Sequence, residues 1–193
     1  MSLLTYAQAE AFAHLLTHRT DRAALAELRR AAANPEHDFR DIRILGPQLA
    51  DAPLVFDAQR LIAGLFALYA PRFWQADDKL RFPRFPENSR RSFGASLRML
   101  RNQLSAGQDS LDLRFGALLN TQGEDLTVPL RNLLTRLSTA NHPVPVDFAQ
   151  LLLDVVYWNS EGRSVRRNWA RDYWRAAVSE LEEEATTADQ PAA

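Results

Sequence analysis

The chain has 193 residues, a formal net charge of -1 at pH 7 and 46% hydrophobic residues, enough apolar surface for a folded core in one domain or two small ones. It contains no cysteine, which excludes disulfides and thiolate metal sites and predicts a protein of the reducing cytoplasm. We expect neither export nor a membrane span, because no basic end precedes an apolar run at the amino terminus and arginines bound the most apolar segment, residues 61–69.

Helical periodicity dominates the first part of the chain. Thr5 and Asp21 predict the starts of two helices, and the second is expected to end near Asn34. A short helical piece at residues 39–45 precedes a strongly apolar helix, APLVFDAQRLIAGLFALYA, which Pro71 should close. None of these segments alternates in the manner of a strand between hairpin turns.

The second part of the chain begins with a loop. Residues 75–88, QADDKLRFPRFPEN, contain two prolines and no helical period. Helix-forming sequence then returns, with expected starts at Ser89 or Ser92, Asp109, Asp125 and Val146. The sequence therefore predicts an all-α protein of about eight to nine helices.

The most economical architecture is two small helical bundles joined by a short connection. We expect an amino-terminal bundle over residues 1–104, which carries the loop at 75–88, and a carboxy-terminal bundle over residues 105–182. Residues 183–193 are small, polar and acidic, so a disordered tail is predicted there.

Known catalytic motifs are absent. The sequence lacks G-x-x-x-x-G-K, G-x-G-x-x-G and G-x-S-x-G, so phosphate-loop, dinucleotide and esterase activities have no support. Glu10, His14 and His18 share one helix face, and two of them could hold a metal, but all three span about 12 Å, too far for a single ion. We expect no enzyme activity, no cofactor and no metal, and keep a metal at the two histidines as an alternative.

The positive charge is almost entirely arginine, since Lys79 is the only lysine. In the stretch KLRFPRFPENSRR, cations surround two aromatic rings, the combination that binds single-stranded nucleic acid by phosphate contact and base stacking. The cations are Lys79, Arg81, Arg84, Arg90 and Arg91, and the rings are Phe82 and Phe85. Alternatively, the two rings anchor the loop to the core while the cations are merely solvated.

Helical arginines extend this surface. In the last helical run Arg163, Arg167 and Arg171 follow one another at i, i+4, so they should form a ridge. Arg98 and Arg101 share a face of an earlier helix. The tryptophans near the ridge are expected to pack in the core rather than to stack on bases.

Two segments resemble a known family. SLDLRFGALLNTQGEDLTVPLRNLLTRL and VDFAQLLLDVVYWNSEGRSVRRNWARDYW are similar to helices of the CasB family, the small subunit of the type I-E CRISPR Cascade surveillance complex. The resemblance covers about residues 8–175. It implies an all-helical, non-enzymatic subunit present in two copies, which contact each other and the backbone and large subunits of the complex.

The resemblance also implies binding to the crRNA and to the target DNA, including its displaced strand, without sequence preference. The residues it supports are Arg29, Arg30, Arg98, Arg114, Arg131 and Arg163. Asn132 stands where some relatives have a second consecutive arginine, which weakens the expected contact on that turn.

We therefore predict a non-catalytic, nucleic-acid-binding subunit that stabilises the crRNA–target hybrid and the displaced strand of the R-loop. The alternative is a helical adaptor that binds an acidic protein. The predicted contact surface comprises Arg29, Arg30, Arg81, Arg84, Arg90, Arg91, Arg98, Arg101, Arg114, Arg131, Arg163, Arg167 and Arg171.

Overall fold

The computed structural model describes residues 3–33, 40–77, 79–87 and 89–175. In these ranges the protein is all-α, as predicted, and contains no strand beyond one isolated bridge between Trp74 and Leu80. The predicted disorder of residues 183–193 falls outside the described part. The helices are α1 (Tyr6–Arg19), α2 (Arg22–Ala31), α3 (Arg40–Leu45), α4 (Pro53–Tyr69), α5 (Phe93–Arg101), α6 (Gln108–Asn120), α7 (Thr127–Ser138), α8 (Phe148–Val156) and α9 (residues 164–175).

Three helix starts predicted from capping residues are confirmed. Thr5 forms a capping box with Gln8 at the start of α1. Asp21 and Ser92 each accept a backbone N–H of the first turn, of α2 and α5 respectively. These side chains satisfy amide groups that have no partner inside the helix.

Asp109 and Asp125 do not cap their helices, contrary to the prediction. α6 begins at Gln108, directly after Gly107, whose φ of 83° is accessible to glycine because it has no Cβ. Asp109 therefore lies within the first turn, where a negative charge still suits the helix dipole. Asp125 belongs to a 3-10 turn, and α7 begins at Thr127 without a side-chain cap.

The predicted apolar helix, α4, lies at the centre of the core. It contacts α2, α7 and α8, while α1 packs along α8. Asp57 and Arg60 are the only charged residues in α4, and a helix that is apolar on nearly every side is stable in water only when surrounded. Pro53–Phe73 has the length and hydropathy of a membrane span, but 61% of its most apolar window is buried inside the protein, as in a core helix.

Contacts of the core extend across residue 104, where the boundary between two bundles is predicted. The Tyr69 hydroxyl donates to the carbonyl of Val144. The Ser96 hydroxyl donates to the carbonyl of Pro145 at 2.6 Å. The buried side chains of both halves form one continuous hydrophobic cluster. The division into two bundles stays a prediction.

α9 packs against α5 and α6 through large aromatic side chains. The Phe93 and Trp169 ring centroids lie 5.2 Å apart, and those of Phe115 and Tyr173 lie 4.2 Å apart. The backbones of α5 and α9 approach closely at Gly94, where a Cβ would lie 2.8 Å from the carbonyl carbon of Trp169 and closer still to its oxygen. Only glycine fits at this crossing without a shift of the backbone.

Of the three tryptophans in the last helical run, Trp158 and Trp169 pack in the core as predicted, whereas Trp174 is exposed and does not. Trp158 and Trp169 are each 1% exposed, and both indole N–H groups have partners. Trp158 Nε1 donates to the carbonyl of Thr121 at 2.9 Å, and Trp169 Nε1 donates to Asp154 Oδ2 at 2.6 Å. Trp174 is 38% exposed. The first two rings are therefore unavailable to bases.

Candidate nucleic-acid interface

The loop that follows α4 is fixed to the protein at its base. Backbone bonds join Gln75 N–H to the Lys79 carbonyl at 2.9 Å and Arg81 N–H to the Phe73 carbonyl at 3.1 Å. Phe82 is half-buried and packs against the rings of α4, with its ring centroid 6.0 Å from that of Tyr69. For Phe82 the structure therefore supports the alternative of a hydrophobic anchor.

The four loop arginines differ in their surroundings. Arg81 Nη2 lies 2.7 Å from Oδ2 of the exposed Asp77, four residues earlier in the chain. Arg90 Nε lies 3.2 Å from Oδ1 of Asp172, which is buried on α9. Arg84 is exposed and has no hydrogen-bond or ion-pair partner among the described residues. Arg84 is thus the loop guanidinium most available to a phosphate.

The fourth loop arginine, Arg91, lies beside the hydroxyl of Tyr6 on α1. The pKa of Tyr6 is raised, chiefly by burial and also by the negative charges of Asp147 and Glu10, while Arg91 opposes the rise. The two acids that raise the pKa of Tyr6 therefore also lie near the Arg91 guanidinium. This arginine is exposed and lies at the junction of two clefts.

The first cleft, called here the aromatic cleft, has a volume of about 460 Å³ and lies between α1, the loop and the start of α8. Arg84 and Arg91 line it together with two acids, Glu10 and Asp147. Its rings are His14, His18, Phe66, Phe82, Phe85 and Phe148. The structure thus brings both rings of the predicted loop site together with two of its five cations, Arg84 and Arg91.

The second cleft, of about 210 Å³, lies between the end of the loop and α9. Arg90, Arg91 and Asn168 line it, above the buried acids Asp154 and Asp172. Arg171 Nη2 donates to Asn168 Oδ1 at 2.7 Å, so Arg171 lies at the edge of the same cleft. Because Arg91 lines both clefts, a continuous basic path runs from the loop to α9.

Asp154, which lies on α8 beneath this path, has a raised pKa. Burial raises the pKa of Asp154 to about 6, although hydrogen bonds from Trp169 and Gln150 lower it. The negative charges of Asp147 and Asp172 raise it further. The inner side of α9 therefore faces a carboxyl group of α8 whose pKa is about 6.

The predicted ridge is only partly helical: Arg167 and Arg171 lie on the outer face of α9, whereas Arg163 directly precedes the helix. Arg163, Arg167 and Arg171 are all exposed. Gly162 and Arg163 have φ angles of 73° and 50°, which makes a tight left-handed turn directly before the helix. A Cβ on Gly162 would lie 3.5 Å from Arg167 Nη2, so the Arg167 guanidinium folds back over that turn.

Arg166, which the sequence analysis did not single out, has a structural role. It is 7% exposed and lies over the Trp158 ring at 5.1 Å. Its Nη2 donates to Asn159 Oδ1 at 3.2 Å, and Nη1 donates to the carbonyl of Leu119 at 3.5 Å. The sequence signal was its helical position, three residues before the buried Trp169, which places both residues on the side of the helix that packs into the protein.

A second group of predicted residues lies where α2 approaches α7. Arg29 and Arg30 are exposed in the last turn of α2. Arg131 of α7 is half-buried and lines a small cavity with Ala31 and Ala32, the residues that follow them. The structure thus brings Arg29, Arg30 and Arg131 to one region.

Arg101 has a strong local partner. Its guanidinium forms two hydrogen bonds with Asp112, at 2.9 Å and 3.2 Å, and also lies 5.9 Å from the Trp174 ring centroid. Burial opposes ionisation of Asp112, but the bonds from Arg101 and Tyr173 outweigh it and lower the pKa of Asp112. This ion pair explains Arg101 without a ligand.

Arg98 and Arg114 complete the predicted set. Arg98 is half-buried in the last turn of α5, and Arg114 is exposed on α6. No hydrogen bond or ion pair within the described ranges holds either side chain. Neither of them lines the two clefts.

The His14 and His18 rings of the metal alternative have centroids 4.1 Å apart. Within the described residues, no group of three or more His, Cys, Asp or Glu side chains is arranged to hold a metal ion.

Comparison with known proteins now decides the family. A family model described as CRISPR-associated protein Cse2 matches residues 24–174, most of the chain. The chain belongs to the Cse2 family. A Cse2 protein of Thermus thermophilus is 36% identical over 76 residues, and the match spans 39% of this chain and 42% of that relative's length.

Solved structures confirm the resemblance to CasB and the all-α fold of this Cse2-family chain. M. ruber CasB has a TM-score of 0.68 at 24% identity, covering 91% of this chain and 97% of its own. CasB from Thermus thermophilus has a TM-score of 0.62 at 26% identity, covering 86% and 97%. A chain of a CRISPR RNA-guided surveillance complex has a TM-score of 0.67 at 23% identity, covering 93% and 98%.

Proposed function

We propose that this Cse2-family chain is the non-catalytic small subunit of a Cascade-type, RNA-guided DNA surveillance complex in the cytoplasm. It binds nucleic acid without sequence preference and stabilises the crRNA–target hybrid and the displaced strand of the R-loop. Its partners are the backbone and large subunits, a second copy of itself, the crRNA and the target DNA. Family membership and the fold shared with a chain of a surveillance complex support this assignment.

The observation that carries the proposal is the basic path from the loop to α9. Arg84, Arg91 and Arg171 border two joined clefts, and the exposed Arg163 and Arg167 continue the path along α9. Guanidinium groups bind phosphate oxygens through paired hydrogen bonds and carry no sequence information. The path therefore suits a sugar–phosphate backbone whose sequence is read elsewhere.

Binding of this kind is sufficient for the proposed role. R-loop formation exchanges DNA pairs for RNA–DNA pairs of nearly equal stability, so modest contacts with the backbone decide whether the loop persists. Sequence recognition comes from the guide RNA, and the protein needs only to hold charge and shape. The second basic region, at Arg29, Arg30 and Arg131, can contact another segment of the same nucleic acid.

The test is a triple variant of the ridge, Arg163→Ala with Arg167→Ala and Arg171→Ala. We expect weaker binding of random single-stranded DNA in a mobility-shift titration and faster loss of the R-loop by the assembled complex. Each lost phosphate contact should also lower the salt slope, by roughly 0.7 per contact for single strands. Thermal unfolding should be unchanged, because all three side chains are exposed.

The matched control keeps the charges, with lysine at the same three positions, and should retain most of the affinity. Arg43→Ala serves as a second control, because Arg43 is an exposed cation that is already paired with Glu27 and lines neither cleft. If neither the protein nor its complex binds single-stranded DNA even at low salt, the proposal is wrong. The alternative of an adaptor for an acidic protein then becomes the better explanation of the arginines.

A further inference from the structure

The aromatic cleft contains more than phosphate binding requires. Exposed arginines alone would hold a backbone, yet this cleft also presents rings from four parts of the chain and has a volume of about 460 Å³. That volume falls within the range of pockets that enclose small organic ligands, roughly 300–1,000 Å³. Rings in this arrangement suit a ligand that has an aromatic face of its own.

We propose that the aromatic cleft accepts one unstacked base of the bound single strand. This inference rests on the proposed function and adds to it a base-binding pocket. The structure separates the rings that are free to stack from those that are not. Phe82 packs on Phe66, Tyr69 and Phe73, and Phe148 is 7% exposed, so both form the floor of the cleft.

Phe85, His14 and His18 are the rings that remain for stacking. Phe85 is half-buried and has no ring partner among the described residues. The two histidines come from successive turns of α1 and lie side by side at 4.1 Å between centroids. A planar base inserted here meets aromatic faces from the loop and from α1, an arrangement that stabilises any of the four bases.

The polar groups of the cleft match the rest of a nucleotide. Arg84 has no partner within the described part of the chain and can bind the phosphate beside the inserted base. Glu10 is exposed and can accept a hydrogen bond from an exocyclic amino group. Asp147 Oδ1 already accepts the N–H of Gln150 at 2.9 Å and caps α8. The base pocket thus needs no rearrangement of the helix start.

The position of the pocket also fits the proposed path of the strand. Arg91 lines both the aromatic cleft and the second cleft, which ends beside Arg171. A strand that inserts one base beside Phe85 would continue over Arg91 toward the ridge. The inserted base fixes the position of the strand, whereas the arginines alone would allow it to slide.

The test compares two probes, a short oligodeoxycytidine and an abasic oligonucleotide of the same length, on the full chain. Phe85→Ala should weaken binding of the base-bearing strand roughly tenfold, the typical loss of one stacked base, and leave binding of the abasic strand unchanged. Phe85→Tyr keeps the ring and should keep the affinity. Leu113→Ala removes an apolar side chain that is 76% exposed on α6, away from the cleft, and should change neither affinity.

A second variant covers the case in which Phe85→Ala disturbs the loop, as a lowered unfolding temperature would show. His14→Ala with His18→Ala removes the opposite rings and should produce the same selective loss. Equal losses on both probes, or no loss, would overturn the base pocket and leave the proposed function intact. Failure of both the unaltered chain and its assembled complex to bind either probe at low salt would overturn the proposed function and the pocket together.

Discussion

The two faces of α9 use the same residue type for different purposes. On the inner face Arg166 is 7% exposed and packs on Trp158. On the outer face its neighbour Arg167 is exposed and lies over the turn at Gly162. An arginine-rich helix is therefore not uniformly a binding surface. The burial of each guanidinium, rather than the number of arginines, separates structural from ligand-binding roles.

Gly94→Ala should produce the largest loss of stability, because its methyl group would clash with the inner face of α9 where α5 and α9 touch. The new Cβ would lie 2.8 Å from the Trp169 carbonyl carbon, a backbone atom that cannot turn aside. We expect a loss of more than about 3 kcal/mol in the free energy of unfolding, measured by urea titration.

Gly116→Ala is the matched control. Gly116 also lies in a helix, α6, and among the described residues no atom outside the backbone of that helix lies within 4 Å of the position of its missing Cβ. Alanine is the better helix former, so this substitution should stabilise the protein by about 0.5–1 kcal/mol. Equal effects at the two glycines would show that α5 and α9 do not pack as closely as described.

The carboxyl group of Asp154, on α8, accepts a hydrogen bond from Trp169 on the inner face of α9, so the pH dependence of stability tests this contact. Its pKa in the folded protein is about 6, above the ordinary value of 3.8, so the folded state binds this proton more tightly than the unfolded state. The resulting stability is complete below about pH 4 and is lost as the pH rises through 6. The loss should amount to about 2–3 kcal/mol.

Asp154→Asn removes this titration while its amide oxygen can still accept the Trp169 N–H. The unfolding free energy of the variant, measured by urea titration from pH 4 to pH 7, should decline less with rising pH than that of the unaltered protein. Asp112 has a lowered pKa and contributes in the opposite direction in both proteins, so their difference isolates Asp154. Parallel pH curves would contradict the assignment.

The smallest effect on stability, and the sharpest contrast, should come from Arg166→Ala and Arg167→Ala. Loss of Arg166 removes its bonds to Asn159 and to the Leu119 carbonyl and should destabilise the fold by about 1–2 kcal/mol. Loss of Arg167 should change stability by less than about 0.5 kcal/mol. Binding of single-stranded DNA should weaken for Arg167→Ala, whereas folded Arg166→Ala should bind normally. If Arg167→Ala lost stability and Arg166→Ala lost DNA binding instead, the roles assigned to the two faces would be wrong.

Much of the fold could be predicted from the sequence, because its signals are local. Side chains at Thr5, Asp21 and Ser92 cap helices by bonding to amides only a few residues away. Asp109 and Asp125 gave the same signal and were misread, since a glycine and a 3-10 turn start those helices instead. Capping propensity ranks residue types, and the surrounding chain selects which one is used.

The candidate site could be predicted only in part. The sequence located the loop and the ridge but could not show that Arg90 pairs with Asp172 or Arg101 with Asp112, because these partners are distant in the chain. It also could not separate Phe82, which anchors the loop, from Phe85, which lines the cleft. Long-range pairing decides which charges and rings remain free, and spacing along one helix carries no information about it.

Lys79 offers a practical use of this loop. It is exposed, its carbonyl accepts the Gln75 N–H at 2.9 Å, and it is the only lysine in the sequence. Apart from the α-amino group of the chain, an amine-reactive fluorophore can therefore label only this side chain, on the same loop as Phe85, without any substitution. Changes in its emission would report the arrival of a strand in real time, in a native subunit within its assembly.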